Sequence, residues 1–217
     1  MFTINPDAGK MKISLRKHFF ASMLKSGDAF SHKLYKQYKE DLFHNIQGMV
    51  VEIGPGTGVN FTYLPSGISW IGIEPNEAFN EILQQRAKEK EIDAKLLTGD
   101  ALQIPLPGNS VDVLLCTLVL CSVKDPAIAL AQIKRVLKPG GKFIFIEHVA
   151  APKQTALRLL QNIFNPVNRI IADGCNCNRE TWNFIQEAGF TELQLSHHQM
   201  RGTFKLFSPH IMGCAIK

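Results

Sequence analysis

The chain has 217 residues, 45% of them hydrophobic and 20% charged, which suits one globular domain with a sizeable core. No apolar run reaches about 18 residues, so a membrane span is not expected. Nor is a signal peptide, because the start MFTINPDAGK lacks a charged stretch followed by an apolar one. Five cysteines, an odd number, argue against a disulfide framework and for a reducing, cytoplasmic setting. The formal charge of +5 is uneven: residues 1–50 hold eight Lys/Arg against four Asp/Glu, and the remainder 16 against 15. With no aromatic-interleaved basic stripe and no zinc-finger spacing, nucleic acid is not expected as a partner.

In chain order, residues 10–25, KMKISLRKHFFASMLK, are basic, free of acids and loosely helical. Two readings stand: a helix packed across the domain, or weak contact with a membrane surface. Residues 31–45 read as a polar helix with Leu34, Tyr38 and Leu42 on one face. Residues 1–47 are thus expected as a helical cap and 48–217 as one compact unit. From there short apolar runs alternate with helical patterns. The runs are MVVEIG, SWIGIE, AKLLTGD, VDVLLCT and KFIFIEHV. Helices are expected at about 76–90, 125–137, 153–171 and 178–188, a KPGG turn precedes the fifth strand, and final strands fall near 191–199 and 207–216. This order predicts an α/β fold: an open, doubly wound, Rossmann-like, mostly parallel seven-stranded sheet with an antiparallel edge hairpin. In such sheets ligands sit beyond the carboxyl ends of the strands, where strand order reverses.

The stretch VEIGPGTGVNF, Val51 to Phe61, follows the first strand. Gly54, Gly56 and Gly58 suit a sharp turn, close approach of a ligand to the backbone, and exposed N–H donors. A phosphate-cradling loop would need Lys followed by Ser or Thr, and none is there. The third glycine of a dinucleotide fingerprint would fall at Val59. Glu52, two residues before the first glycine, would repel a pyrophosphate but suits a cation. S-adenosylmethionine, with its sulfonium and amino group, matches that electrostatics. Glu74 ends the second strand, where a carboxylate accepts from ribose hydroxyls. Asp100 ends the third, where one can accept an adenine amino proton.

VVEIGPGTG, GIEPN, TGDALQIPLPGNSVDVLLCTLVLCSV and IKRVLKPGGKFIFIEHV resemble the successive motifs of class I S-adenosylmethionine-dependent methyltransferases, over about residues 48–150. A closer resemblance runs through CTLVLCSV, EHVAAP, DGCNCNRETW and PHIMGCAIK. These segments are similar to the methyltransferase-like protein 7 family of animal alkyl-thiol S-methyltransferases. That resemblance implies methyl transfer to a small thiol, with a quinone, lipid or other small metabolite as the alternative acceptor, or a non-catalytic module that keeps the cofactor pocket. Animal members begin with a hydrophobic anchor, which this sequence does not show. Pro55 stands where the family has Cys, and Cys177 where it has Leu. The cofactor residues implied are Glu52, Gly54, Gly56, Thr57, Gly58, Glu74, Pro75, Asn76, Asp100, Ala101, Thr117 and Leu118.

Methyl transfer is an in-line displacement at a carbon already activated by the sulfonium, so the protein mainly aligns the groups and excludes water. His148, ending the fifth strand, is the candidate base, or else a histidine that orients a loop. Glu147 is expected to make structural contacts. Asp173, Asn176 and Arg179 are candidate acceptor-pocket residues, Asn178 a helix N-cap, and Arg179 either lowers a thiol pKa or pairs with Asp173. Cys175 and Cys177, with no His beside them in sequence, make a poor zinc site, and no metal is expected. Cys116 and Cys121 read as buried apolar fillers.

Overall fold

The computed structural model describes residues 15–217; the expected helical stretch 10–14 lies outside the described residues. Seven strands form one sheet: β1 (Met49–Ile53), β2 (Ser69–Ile73), β3 (Asp93–Leu97), β4 (Val111–Thr117), β5 (Leu137–His148), β6 (Glu192–Gln199) and β7 (Pro209–Ile216). Their order is β3-β2-β1-β4-β5-β7-β6. The first five run parallel, and β7 inserts antiparallel between β5 and β6. This is the class I methyltransferase arrangement expected from the alternating pattern. Strand order reverses between β1 and β4, and that opens the crevice at their carboxyl ends.

Alternation along the central strands builds a core on each face. Val51, Ile53, Leu114, Phe143 and Phe145 pack with α3 (Pro126–Val136) and α5 (Thr181–Glu187). Val50, Trp70, Val113, Leu115 and Ile144 pack with Phe79, Leu83 and Ala87 on and before α2 (Asn80–Glu89), and with Phe43 and Ile46. Asp125 caps α3 by accepting from the N–H groups of Ala127 and Ile128, with Pro126 at the first turn. The last helix before the DGCN segment, α4 (Ala156–Ile171), is capped by Thr155 and leaves Leu159, Leu160, Ile163, Val167, Ile170 and Ile171 exposed.

Three local expectations differ. The two N-terminal helical stretches are one helix, α1 (Leu15–Phe43), continuous through Gly27. KPGG does not precede β5 but lies inside it: Val111 pairs with Leu137 and Val113 with Lys142, so Lys138–Gly141 form a register irregularity. Asn178 is not an N-cap. Its side chain bonds Asn162, and α5 starts at Thr181 after Glu180, which makes no side-chain cap bond.

Candidate active site

The glycine loop turns between β1 and a short 3-10 turn at Val59–Thr62. Gly54 has φ 61°, and a Cβ there would come within 2.6 Å of Val119 Cγ2, so only glycine fits. Gly56 differs. It too has positive φ, 55°, but a Cβ would meet only Leu24 of α1, at 3.8 Å. Its cradle is open on the side where a ligand would approach. The loop is held by Glu74, whose carboxylate accepts from the N–H groups of Gly56 (3.1 Å) and Asn76 (2.9 Å). Burial pushes Glu74 above the ordinary carboxylate value.

Glu52 is buried and accepts from Asn60 Nδ2 (2.7 Å) and Trp70 Nε1 (3.1 Å). Burial raises its pKa to about 7, although both hydrogen bonds and the Lys39 charge oppose the rise. Lys39 is 1% exposed, lies over the rings of Tyr35 and Tyr63, and is pushed down to about 8 by the same burial. Asn60 Nδ2 also donates to Thr117 Oγ1 (3.1 Å) at the end of β4, joining the two strands that flank the crevice. Leu118 follows in left-handed conformation, φ 58°, which a non-glycine residue holds only under strain of order 1–3 kcal/mol. Asp100 is exposed and accepts from Leu102 N, while Ala101 is buried behind it.

α1 lies over this edge. Lys17 Nζ donates to Pro75 O (3.0 Å), and Asn76 Nδ2 to Lys17 O (3.1 Å). Asp28 accepts from Thr57 Oγ1 and from Arg86, both at 2.6 Å. Two depressions among the described residues do not contain Glu74, Asp100 or Thr117. One, of about 310 Å³, lies beside Asp28, Gly58 and Arg86; the other, of about 530 Å³, beside Pro166, Asp173 and Gly174. Convergence of strand ends, rather than cavity size, locates the site.

On the other side of β4 the chain is drawn together by Glu147, fully buried in β5. One of its oxygens accepts from Val119 N and Leu120 N (2.9 Å each), the other from Cys121 N (3.3 Å). His148 follows, with Nε2 2.9 Å from Cys175 Sγ and Nδ1 buried without a hydrogen-bond partner among the described residues. Burial pulls the His148 pKa down, but the Cys175 contact and the Glu147 charge outweigh it and leave the value raised. The DGCN segment is stitched to the loop after β4. Asn176 Nδ2 donates to Cys121 O (3.0 Å), and Arg179 Nη1 to Leu120 O (2.5 Å) and Val123 O (2.7 Å). Asn176 and Arg179 therefore spend donors on backbone carbonyls, whereas Asp173 lines the larger depression. The cysteines of the CxC pair diverge: Cys177 Sγ faces Gln161 O, and Cys175 faces His148. Sequence reasoning missed Lys39, Asn60 and the Cys121–His148–Cys175 cluster. Only the lone lysine amid aromatic residues carried a signal of its own.

The open cradle at Gly56, the acids at the ends of β1 and β2 and the strand order fit S-adenosylmethionine, and residues 51–145 match the methyltransferase domain family. The fold is shared with a SAM-dependent methyltransferase from Thermotoga maritima, with a TM-score of 0.68 at 20% identity over 93% of this chain and 99% of that one. The protein is a class I methyltransferase that uses S-adenosylmethionine as its methyl donor. The chain is 37% identical over 190 residues to thiol S-methyltransferase TMT1A of Homo sapiens, covering 82% of this chain and 78% of the relative. It is 34% identical over 212 residues to thiol S-methyltransferase TMT1B of Rattus norvegicus, covering 93% and 87%. It belongs to that family, the methyltransferase-like protein 7 family.

Proposed function

We propose that this methyltransferase moves the methyl group of S-adenosylmethionine to the sulfur of a small thiol. The observation that carries the reading is the kinship at 34–37% identity, over most of both chains, with enzymes named for that acceptor. The sulfonium of the bound donor supplies the activated methyl group. Glu74 holds the glycine loop and is assigned the ribose hydroxyls, and Asp100 the adenine. Gly54, Gly56, Thr57, Gly58, Pro75, Asn76 and Ala101 form the wall around them, and Thr117 and Leu118 flank the methionine part. Glu52, behind the loop, supplies negative potential for the cationic end when it ionises, as pH rises through about 7.

The acceptor approaches from the side of His148, with Asp173 at the rim and Asn176 and Arg179 positioning the loop. A thiol with pKa near ~8.5 is a few per cent ionised at neutral pH, so the site gains by favouring the thiolate. We assign that task to His148, whose burial supports exclusion of water around it. The sulfur lone pair forms the new bond to the methyl carbon, and the pair of the broken bond stays on the cofactor sulfur. The test supplies methyl-labelled cofactor with an alkyl thiol, a quinol and an amine of similar size. Label recovered as a methyl thioether is expected; label transferred to the quinol or amine but not to the thiol overturns the reading.

A further inference from the structure

Cys121, His148 and Cys175 come from three separate segments: the loop after β4, the end of β5 and the turn after α4. The fold buries all three, and one ligand atom from each lies within 4.8 Å of the others. They also belong to three of the segments that carry the family resemblance: CTLVLCSV, EHVAAP and DGCNCNRETW. We propose that they form a Zn²⁺ site with three protein ligands, whose fourth position takes the acceptor thiol as its thiolate.

The chemistry of the donors selects the ion. Two soft sulfurs and an imidazole suit zinc, and hard cations that want oxygen find no carboxylate in the set. With Zn–S near ~2.3 Å and Zn–N near ~2.0 Å, the edges of a tetrahedral site are about 3.5–3.8 Å, inside the observed spread. The Nε2–Sγ separation of 2.9 Å lies below that edge and must open by about 0.6 Å. Two thiolates and a neutral imidazole balance the dication, which makes burial of the ion tolerable.

The ligands are held from behind. Glu147 accepts from Cys121 N, Asn168 Nδ2 donates to Cys175 O (2.7 Å), and Asn176 ties the two cysteine segments together through Cys121 O. Among the described residues the set stops at three, the pattern of catalytic rather than structural zinc. Cys121 Sγ lies 3.5 Å from the carbonyl oxygen of Leu118, the residue assigned to the cofactor's methionine part, which puts this ligand beside the methyl donor's half of the crevice.

This inference rests on the thiol reading and says how His148 serves it: as a ligand. Metal entry releases the two cysteine protons to water, and the acceptor thiol loses its proton to water as its sulfur coordinates. That sulfur then attacks the methyl carbon, the departing electron pair going to the cofactor sulfur. The neutral thioether is a weak ligand and leaves.

The test uses the full chain, reduced and stripped with a chelator, and titrates it with Co²⁺ as a spectroscopic stand-in for Zn²⁺. One equivalent with thiolate-to-cobalt charge transfer and tetrahedral d–d bands is expected, and Zn²⁺ should displace it. Cys121→Ser and Cys175→Ser should each lose at least half of the charge-transfer intensity while still binding S-adenosylhomocysteine, which shows that they fold; Cys177→Ser should keep it. Addition of an alkyl thiol should shift the d–d bands. Absence of stoichiometric cobalt uptake, or a charge-transfer band of unchanged intensity in both serine variants, overturns the site. Thiol methylation at full rate by the metal-free protein overturns the zinc-assisted step and leaves the thiol reading standing. Cobalt uptake with d–d bands indifferent to thiols, together with no thiol methylation, sinks the thiol reading and leaves the metal site.

Discussion

Replacing Glu74 separates its two tasks. Its carboxylate accepts from Gly56 N and Asn76 N, so it braces the glycine loop, and it is also assigned the ribose hydroxyls. A hydrogen bond to a charged acceptor contributes about 1.5–3 kcal/mol, and loss of the ribose contact alone should weaken binding about 10- to 150-fold. Glu74→Ala also strands two backbone donors at about 1–3 kcal/mol each, so it should lower stability as well. Glu74→Gln keeps one carbonyl oxygen for the loop and should retain more stability than the alanine variant, while still losing affinity with the charge. Calorimetry with S-adenosylhomocysteine measures the affinity without turnover, and urea denaturation reads the brace. A dissociation constant changed by under about twofold in a folded Glu74→Gln protein would refute the ribose assignment.

Glu52 gives a pH signature. Burial lifts it from 4.5 to about 7, so as pH rises through that window the unfolded chain ionises first and stability is lost, on the order of 3 kcal/mol in all. In Glu52→Gln this decline should vanish, and parallel urea-stability curves for the two proteins between those pH values would contradict the assignment. Glu147→Gln should cost about 2–4 kcal/mol, because an amide NH₂ would face a backbone donor of the loop that the carboxylate now gathers. Guanidinium denaturation checks it, and a change below about 0.5 kcal/mol would mean that the loop holds itself.

The sheet was legible because parallel strands buried on both faces read as continuous apolar runs, MVVEI and VDVLLCT among them. The carboxyl-end residues followed, since each acid of the cofactor half sits at the end of its own run. In the sequence, helical stretches read at 10–25 and 31–45, and residues 26–30, with Gly27 among them, stay unassigned. Helix continues there because nothing crowds Gly27 and because Asp28 is anchored on Thr57 and Arg86, contacts between distant segments that periodicity does not encode. KPGG has the chemistry of a turn, but the pairing of Leu137 with Val111 carries the strand on both sides of it. Asn178 had the right residue type for a cap, and it lost that place to a side-chain bond with Asn162. The cysteine–histidine cluster was out of reach for the same kind of reason. CxC suggested that Cys175 and Cys177 act together, yet the chain turns them to opposite neighbours, and Cys175 meets groups 27 and 54 residues earlier.

On the proposed reading, the end of β5 serves both halves of the reaction. Successive side chains of a strand point to opposite faces. Glu147 therefore reaches toward the loop after β4, where it gathers Val119, Leu120 and Cys121, while His148 turns to Cys175 and the acceptor side. Parallel pairing of β4 with β5 sets the height of that pair, since Thr117 lies opposite Ile146, one residue short of Glu147. A slip of one residue in one direction would point the His148 imidazole at the three backbone donors, and in the other would bring the Glu147 carboxylate to the Cys175 thiol. The register irregularity at Lys138–Gly141 absorbs the difference in length between the two strands before it reaches the site. It lets β5 begin opposite Val111 and still deliver Glu147 and His148 at the crevice. The turn-like sequence at the far end of the strand thus helps to fix where Glu147 and His148 stand at the near end.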